Sequence, residues 1–154
     1  GKVYLLPTID VRKDKSASID LDSDIRERFA DGLQDKGYTV ELLKDFGGSK
    51  DMTTEAVAEM LQDELYVLGP QESQSVLILY INDVYAKYVR LGYEFYVELT
   101  GLLLDKQRKT VLWKDKGSGR GAGIVLKAWL YKSESLDYAV NSMLMSFPKK
   151  NEVK

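Results

Sequence analysis

The sequence predicts an α/β (α+β) fold, a single mixed five-stranded sheet with three or four helices, in the order β-α-β-α-β-β-β-α. Three observations carry this. Short β-type apolar runs alternate with helix-period stripes through the first half of the chain. Polar turns join strand-like segments directly in the second half. Three segments show a clear apolar stripe of helical period.

Val3-Tyr4-Leu5-Leu6, stopped by Pro7, reads as a buried strand, and residues 10–20 as a polar loop. Asp22 and Ser23 suit a helix start, Ile25, Phe29 and Leu33 recur every fourth residue, and Lys36-Gly37 suits its end. Tyr38 to Leu43 is a second strand, followed by a Gly47-Gly48-Ser49 turn. Thr53 or Thr54 opens a helix predicted to run to Leu68, where Gly69-Pro70 ends it. Ser75 to Val84 is the third strand, and its near-continuous apolar run from Val76 to Ile81 implies burial on both faces. A turn is expected near Asn82 to Lys87. In the fourth strand Tyr93, Phe95, Val97 and Leu99 face one way, and Glu94, Tyr96, Glu98 and Thr100 the other. Residues 105–109 form a hairpin turn, and Thr110 to Lys114 the fifth strand. Residues 124–131 fit helix or strand, with helix favoured. Ser133 or Ser135 caps a last helix carrying Leu136, Ala139, Val140, Met143, Leu144 and Phe147 before Pro148. One domain over residues 1–148 and a frayed tail over 149–154 are expected.

The chain has 154 residues, 44% of them hydrophobic and 30% charged, which suits one ordered domain. Lys+Arg number 22 against 24 Asp+Glu, so a dedicated nucleic-acid binder, with its strong basic excess, is not expected. The chain has no histidine and no cysteine. That removes Ser-His-Asp triads, cysteine nucleophiles and most zinc and iron sites. No apolar run approaches the ~20 residues of a membrane helix. No catalytic residue, cofactor or metal ligand is singled out.

Five features are candidates for function. Asp20, Asp22 and Asp24 resemble the start of a calcium loop, but Ile25 stands where glycine is needed and Asp31 at the twelfth position, so a helix start with favourably placed acids is preferred. Gly117, Gly119, Gly121 and Gly123 lack both the G-x-G-x-x-G spacing and a following Lys-Ser/Thr pair; a mobile loop, ordered by a neighbouring subunit, is favoured over a phosphate site. Lys106, Arg108, Lys109, Lys116 and Arg120, with Lys114, make a locally basic hairpin diluted by Asp105 and Asp115; a solvated surface is preferred over a contact for anionic headgroups or nucleic acid. Tyr85, Tyr88, Tyr93 and Tyr96, with Tyr66 and Tyr80, serve either as sheet filler or as an interface. Glu94 and Glu98 share a sheet face, but with no His or metal motif nearby an exposed face accounts for them.

Three stretches resemble a group of bacterial envelope lipoproteins that includes the TolB amino-terminal domain, CsgG and uncharacterised outer-membrane lipoproteins. The first is Val3 to Pro7, followed by the helix and the Gly37-Tyr38-Thr39-Val40 strand entry. The second is Ser75 to Ile81 leading to Leu99 to Trp113, with an Asp105-Lys106 turn and a Val111-Leu112-Trp113 ending. The third is the glycine-rich stretch and the helix ending Ser146-Phe147-Pro148. The group's turn reads D-x-x-T-G, whereas this chain has Arg108-Lys109 in place of Thr-Gly. Trp113, beneath the sheet, and Pro7, closing the first strand, are the expected structural anchors.

The resemblance implies a non-catalytic lipoprotein on the periplasmic side of the envelope, lipid-anchored at the outer membrane, acting as an assembly, secretion or transport accessory. The alternative is a glycan- or lipid-binding module using the tyrosine-rich sheet. Expected partners are envelope proteins or further copies of the chain; the membrane is reached only through a lipid anchor, and nucleic acid is not a partner. Because the chain enters its first strand by Val3, a signal peptide ending in a lipidated cysteine is expected shortly before Gly1.

Overall fold

The computed structural model describes residues 2–13, 20–47 and 52–152. Residues 14–19 of the expected loop, Gly48-Ser49 of the expected turn and residues 153–154 of the expected tail lie outside the described residues. The elements are β1 (Lys2–Leu5), β2 (Ile9–Asp10), α1 (Asp22–Asp35), β3 (Thr39–Leu42), α2 (Thr54–Ala58), β4 (Ser75–Val89), β5 (Gly92–Asp105), β6 (Thr110–Ile124) and α3 (Ala128–Ser146). The sheet is mixed and six-stranded. Its order is β3-β1-β4-β5-β6, with the short β2 paired to β4. The early pairs are parallel, as crossover connections require, and β4-β5 and β5-β6 are antiparallel hairpins.

Helix α1 forms as its stripe dictates, with Ile25, Phe29 and Leu33 fully buried. It begins one residue after Leu21, and Asp20 rather than Asp22 or Ser23 supports its start, accepting from the Asp22 N–H at 3.1 Å. At its end Gly37 adopts φ 94°, Tyr38 N–H donates to Leu33 O and Gly37 N–H to Gln34 O, which is a Schellman closure. The second helix is shorter than expected. Thr53 Oγ1 caps α2 by accepting from Ala56 N–H, but α2 stops at Ala58, and residues 62–67 form a separate 3-10 turn. Of the apolar positions that suggested one helix, Val57, Leu65 and Leu68 reach the core while Leu61 stays exposed.

Strand β4 runs through the segment expected to turn. Asn82 is an extra residue between the Ile81–Leu99 and Asp83–Glu98 pairs, a bulge that reverses the inward parity of the strand. Leu77, Leu79 and Ile81 lie in the same core cluster as Val84 because of it. The hairpin turns instead at Arg90-Leu91, with Arg90 at φ 48°.

The stretch 117–123 is not a loop. It is the second half of β6, paired with β5 as far as Ile124. A side-chain carbon at Gly117 would stand 2.5 Å from the Ala139 carbonyl, and carbons at Gly119 and Gly121 would strike the carbonyls of Ser135 and Tyr131. Helix α3 thus lies directly on the strand backbone. Its residues 139, 135 and 131 meet strand residues 117, 119 and 121 in step, since four helical residues rise ~6.0 Å and two strand residues ~6.8 Å. Helix α3 also starts earlier than Ser133, at Ala128, after a 3-10 turn over Val125–Lys127.

Two apolar layers result. Helices α1 and α3 cover one face through Phe29, Leu33, Leu77, Phe95, Val97, Trp113, Leu136, Val140 and Met143. On the other face Leu6, Phe46, Val57, Leu65, Leu68, Val76, Ile78, Leu102 and Leu104 form a second cluster. The central strand is buried on both faces from Val76 to Leu79. Trp113 is seated against Gly101 and Phe147, and its indole N–H donates to Ser146 Oγ at 2.9 Å.

Candidate functional site

Among the described residues, the second cluster covers only the Val76–Tyr80 half of its sheet face. Past the bulge, the same face carries Tyr85 and Lys87 of β4, Glu94, Tyr96 and Glu98 of β5, and Lys116, Ser118 and Arg120 of β6. The register places Tyr85 beside Tyr96 and Tyr96 beside Arg120. This uncovered face is the strongest concentration of polar and aromatic side chains that the sequence singled out.

Glu94 is its centre. The carboxylate is buried, accepts from Arg120 Nε and from Tyr85 Oη at 3.1 Å, and lies 3.5 Å from Lys87 Nζ. The hydrogen bond from Arg120 holds its pKa below the usual carboxylate range, against the upward push of burial. Burial, then the hydrogen bond to Glu94, pushes the Tyr85 hydroxyl up. Glu98 has its own partner, Lys116 at 2.6 Å, which raises the lysine. The two glutamates are therefore split between separate cations and do not form an acid/base pair. The Tyr85 and Tyr96 rings stack beside them, 5.1 Å apart at 18°.

The other candidates are dispersed. Tyr88 and Tyr93 meet edge-on, ring centres 5.5 Å apart, at the β4-β5 tip; their register puts them on the helix-covered face, away from Tyr85 and Tyr96. Gly117, Gly119 and Gly121 are buried under α3 and offer no surface, while Gly123 lies against the Tyr131 ring. The basic residues do not form one hairpin patch. Lys106 is turned inward, donating to Pro70 O at 2.8 Å and Ser73 Oγ at 3.1 Å, and burial lowers its pKa. Ser73 itself donates to Pro70 O, so the Lys106–Ser73 pair closes a turn. Arg108 sits 3.9 Å from Asp105, and Lys109 occupies the same turn. Lys116 and Arg120 lie farther along β6 on the uncovered face, each paired with a glutamate.

The aspartates at the start of α1 are engaged with neighbours. Asp22 accepts from Thr8 N–H and Thr8 Oγ1, both at 2.8 Å, and meets Arg26; Asp24 meets Arg28 and Lys132. A cleft of about 390 Å³ lies beside them, lined by Pro7, Thr8, Asp10, Asp20, Asp22 and Glu55. Among the described residues no group of three or more carboxylates is placed to hold a metal ion.

Sequence reasoning missed the pairing of Glu94 with Arg120. The signal is the hairpin length, which fixes which β6 residue lies two strands from Tyr85, but the glycines of 117–123 hide that β6 extends so far.

No family model and no curated protein sequence matches the chain. Solved structures do. The lipoprotein GNA1162 from Neisseria meningitidis superposes with a TM-score of 0.56 at 13% identity, over 84% of this chain and 90% of that one. The fold is one that this solved bacterial lipoprotein has. The hypothetical protein CT253 from Chlamydia trachomatis gives 0.56 at 12% identity, covering 94% of this chain and 91% of that one. PelC from Paraburkholderia phytofirmans, solved as a dodecamer, gives 0.52 at 16% identity, covering 93% and 82%. At these identities the likeness is one of fold, and no residue role passes with it. Among the described residues no helix is long and apolar enough to cross a membrane.

Proposed function

We propose that the chain is the folded domain of an envelope lipoprotein, related to the TolB amino-terminal and CsgG-like domains, that acts without catalysis as an assembly, secretion or transport accessory. The observation that carries this reading is the match of nearly the whole fold to the Neisseria lipoprotein. The chemistry agrees with it. The polar groups of the uncovered face are engaged with one another, Glu94 with Arg120 and Tyr85, Glu98 with Lys116, which builds a firm docking face. In this reading the domain sits on the periplasmic side of the outer membrane, held by lipid on a cysteine preceding Gly1, and its partners are envelope proteins or copies of itself. Metabolic labelling of the full gene product with palmitate, and sensitivity of that labelling to signal-peptidase II inhibition, tests it. A product that takes up no label overturns the anchor and the location together.

One observation favours a second reading, a glycan-binding face. The stacked Tyr85–Tyr96 pair beside Glu94 and Arg120 joins an aromatic surface to hydrogen-bonding groups. Titration with envelope polysaccharide distinguishes the two. Saturable binding lost in Tyr96→Ala moves the function to this face; no binding removes this second reading.

A further inference from the structure

The end of the molecule formed by the β4-β5 tip and the β6-α3 connection is apolar on its outside. Leu91 is 91% exposed, Leu126 87%, Tyr88 75% and Trp129 72%, and Ile124 is exposed beside them. The register brings the strand residues to one end: Tyr88 pairs Tyr93, Tyr93 pairs Gly123, and Gly92 pairs Ile124; Leu126 and Trp129 follow Ile124 within five residues of chain, and the Tyr131 ring rests on Gly123 at the start of α3. Monomeric proteins seldom leave so many large apolar groups together in water.

The same end is basic. Segments 86–93 and 119–132 hold five cations, Lys87, Arg90, Arg120, Lys127 and Lys132, and no carboxylate, in a chain of net charge -2. Three of the five reach carboxylates, Lys87 and Arg120 at Glu94 and Lys132 at Asp24, so a local positive excess survives the pairing. The end also projects. Strand β4 pairs with β1 and β2 only as far as Ile81, so residues 83–89 extend past the parallel part of the sheet. That extension is seven strand residues, ~24 Å.

We propose that this end docks directly on an anionic lipid bilayer, with Leu91, Leu126 and Trp129 entering the headgroup boundary and Arg90 and Lys127 at the phosphates. Leucine and tryptophan at the apex, with lysine and arginine one or two residues behind, is the arrangement an interface between water and lipid accepts: apolar tips enter and long cationic side chains stay at the headgroups. A second copy meeting the first tip to tip would bring two positive ends together. The apolar groups stand on a projecting end where a protein partner would need a matching groove, whereas a bilayer needs none. The contact adds to a covalent anchor and does not depend on one.

The test uses the unlipidated chain 1–154 with vesicles of phosphatidylglycerol and phosphatidylethanolamine, and with vesicles of phosphatidylcholine alone. Co-sedimentation with the anionic vesicles is expected, together with a blue shift of tryptophan emission that Trp129→Phe abolishes, since Trp113 is already buried. Leu91→Asp with Leu126→Asp should weaken binding at least tenfold, and Arg90→Glu with Lys127→Glu should do so while leaving the melting temperature unchanged. Absence of sedimentation with anionic vesicles overturns the proposal. So does binding that survives both variant pairs, or a self-associating chain that Leu91→Asp renders monomeric with no vesicle affinity in either form. None of these outcomes bears on whether the precursor carries a lipidated cysteine, so failure here and failure of the lipoprotein reading are separable.

Discussion

Ser135 Oγ donates to the carbonyl of Gly119 at 2.8 Å, and the Ser135 carbonyl occupies the space a Gly119 side chain would need. Helix α3 thus meets the strand at Gly119 through both the Ser135 side chain and the Ser135 backbone. Gly119→Ala requires α3 to lift from β6, at a cost of about 3 kcal/mol. Ser118→Ala, one residue away on the uncovered face, should fall within ~0.5 kcal/mol of the parent. Urea denaturation of the two variants checks the contrast, and equal midpoints would refute the backbone-contact reading.

That contact also explains where sequence reasoning stopped. Alternate glycines have neither a β-branched nor an apolar signature, so the stripe that seats α3 looks like a linker; only the partner helix reveals that it is a core position. Asn82 hid the length of β4 similarly, because a one-residue bulge breaks a period-2 pattern as a turn does. Met60-Leu61 continued the apolar spacing past Ala58, although the chain there leaves the helix. What was legible was the part fixed by burial alone: the Val76–Ile81 run, the Ile25-Phe29-Leu33 stripe and the alternation along β5. The candidate site was legible in its residue types and not in its pairings, since Tyr85–Tyr96 and Glu94–Arg120 depend on register across strands.

Arg26 is buried and donates to the carbonyls of Leu5 at 3.0 Å and Leu43 at 2.5 Å, while meeting Asp22 at 3.3 Å. It ties α1 to the ends of β1 and β3. Arg26→Leu leaves those carbonyls without this donor and should cost about 3 kcal/mol. Arg26→Lys should recover only a part, because one ammonium replaces a planar fork of donors. Thermal melts of both variants test this; a melting temperature for Arg26→Leu equal to the parent would show that the carbonyls find water instead.

Lys109 lies at φ 52° in the β5-β6 turn, in the left-handed region that favours glycine. The Asp105 carboxylate holds the turn by accepting from Gln107 and Arg108 N–H, both at 3.0 Å, so the backbone conformation is fixed whatever residue stands at 109. A lysine there carries a Cβ penalty of ~1 kcal/mol that glycine avoids, offset in part by glycine's greater unfolded-state freedom. Lys109→Gly should therefore stabilise slightly, by about 0.5 kcal/mol, and Asp105→Ala should destabilise by clearly more. A lower melting temperature for Lys109→Gly would contradict the assignment.

The carboxylate of Glu94 supplies the sharpest pH signature. Arg120 and Tyr85 bond to it, and Lys87 adds a further positive charge from β4. Its pKa in the fold is lowered, chiefly by Arg120, so folding favours the ionised form. The sign follows from that direction. The stabilisation is complete above the ordinary glutamate pKa of ~4.3, and it is lost as pH falls from there through the lower pKa of the folded state. Glu94→Gln removes the charge and should flatten that part of the acid limb, while Glu98→Gln, whose carboxylate meets the exposed Lys116, should alter it little. Urea midpoints of the parent and both variants between about pH 3 and pH 7 provide the measurement. If the parent and Glu94→Gln lose stability in parallel over that range, Arg120 and Glu94 do not couple in solution as they do in the fold, and the firm polar face proposed for docking loses its central pair.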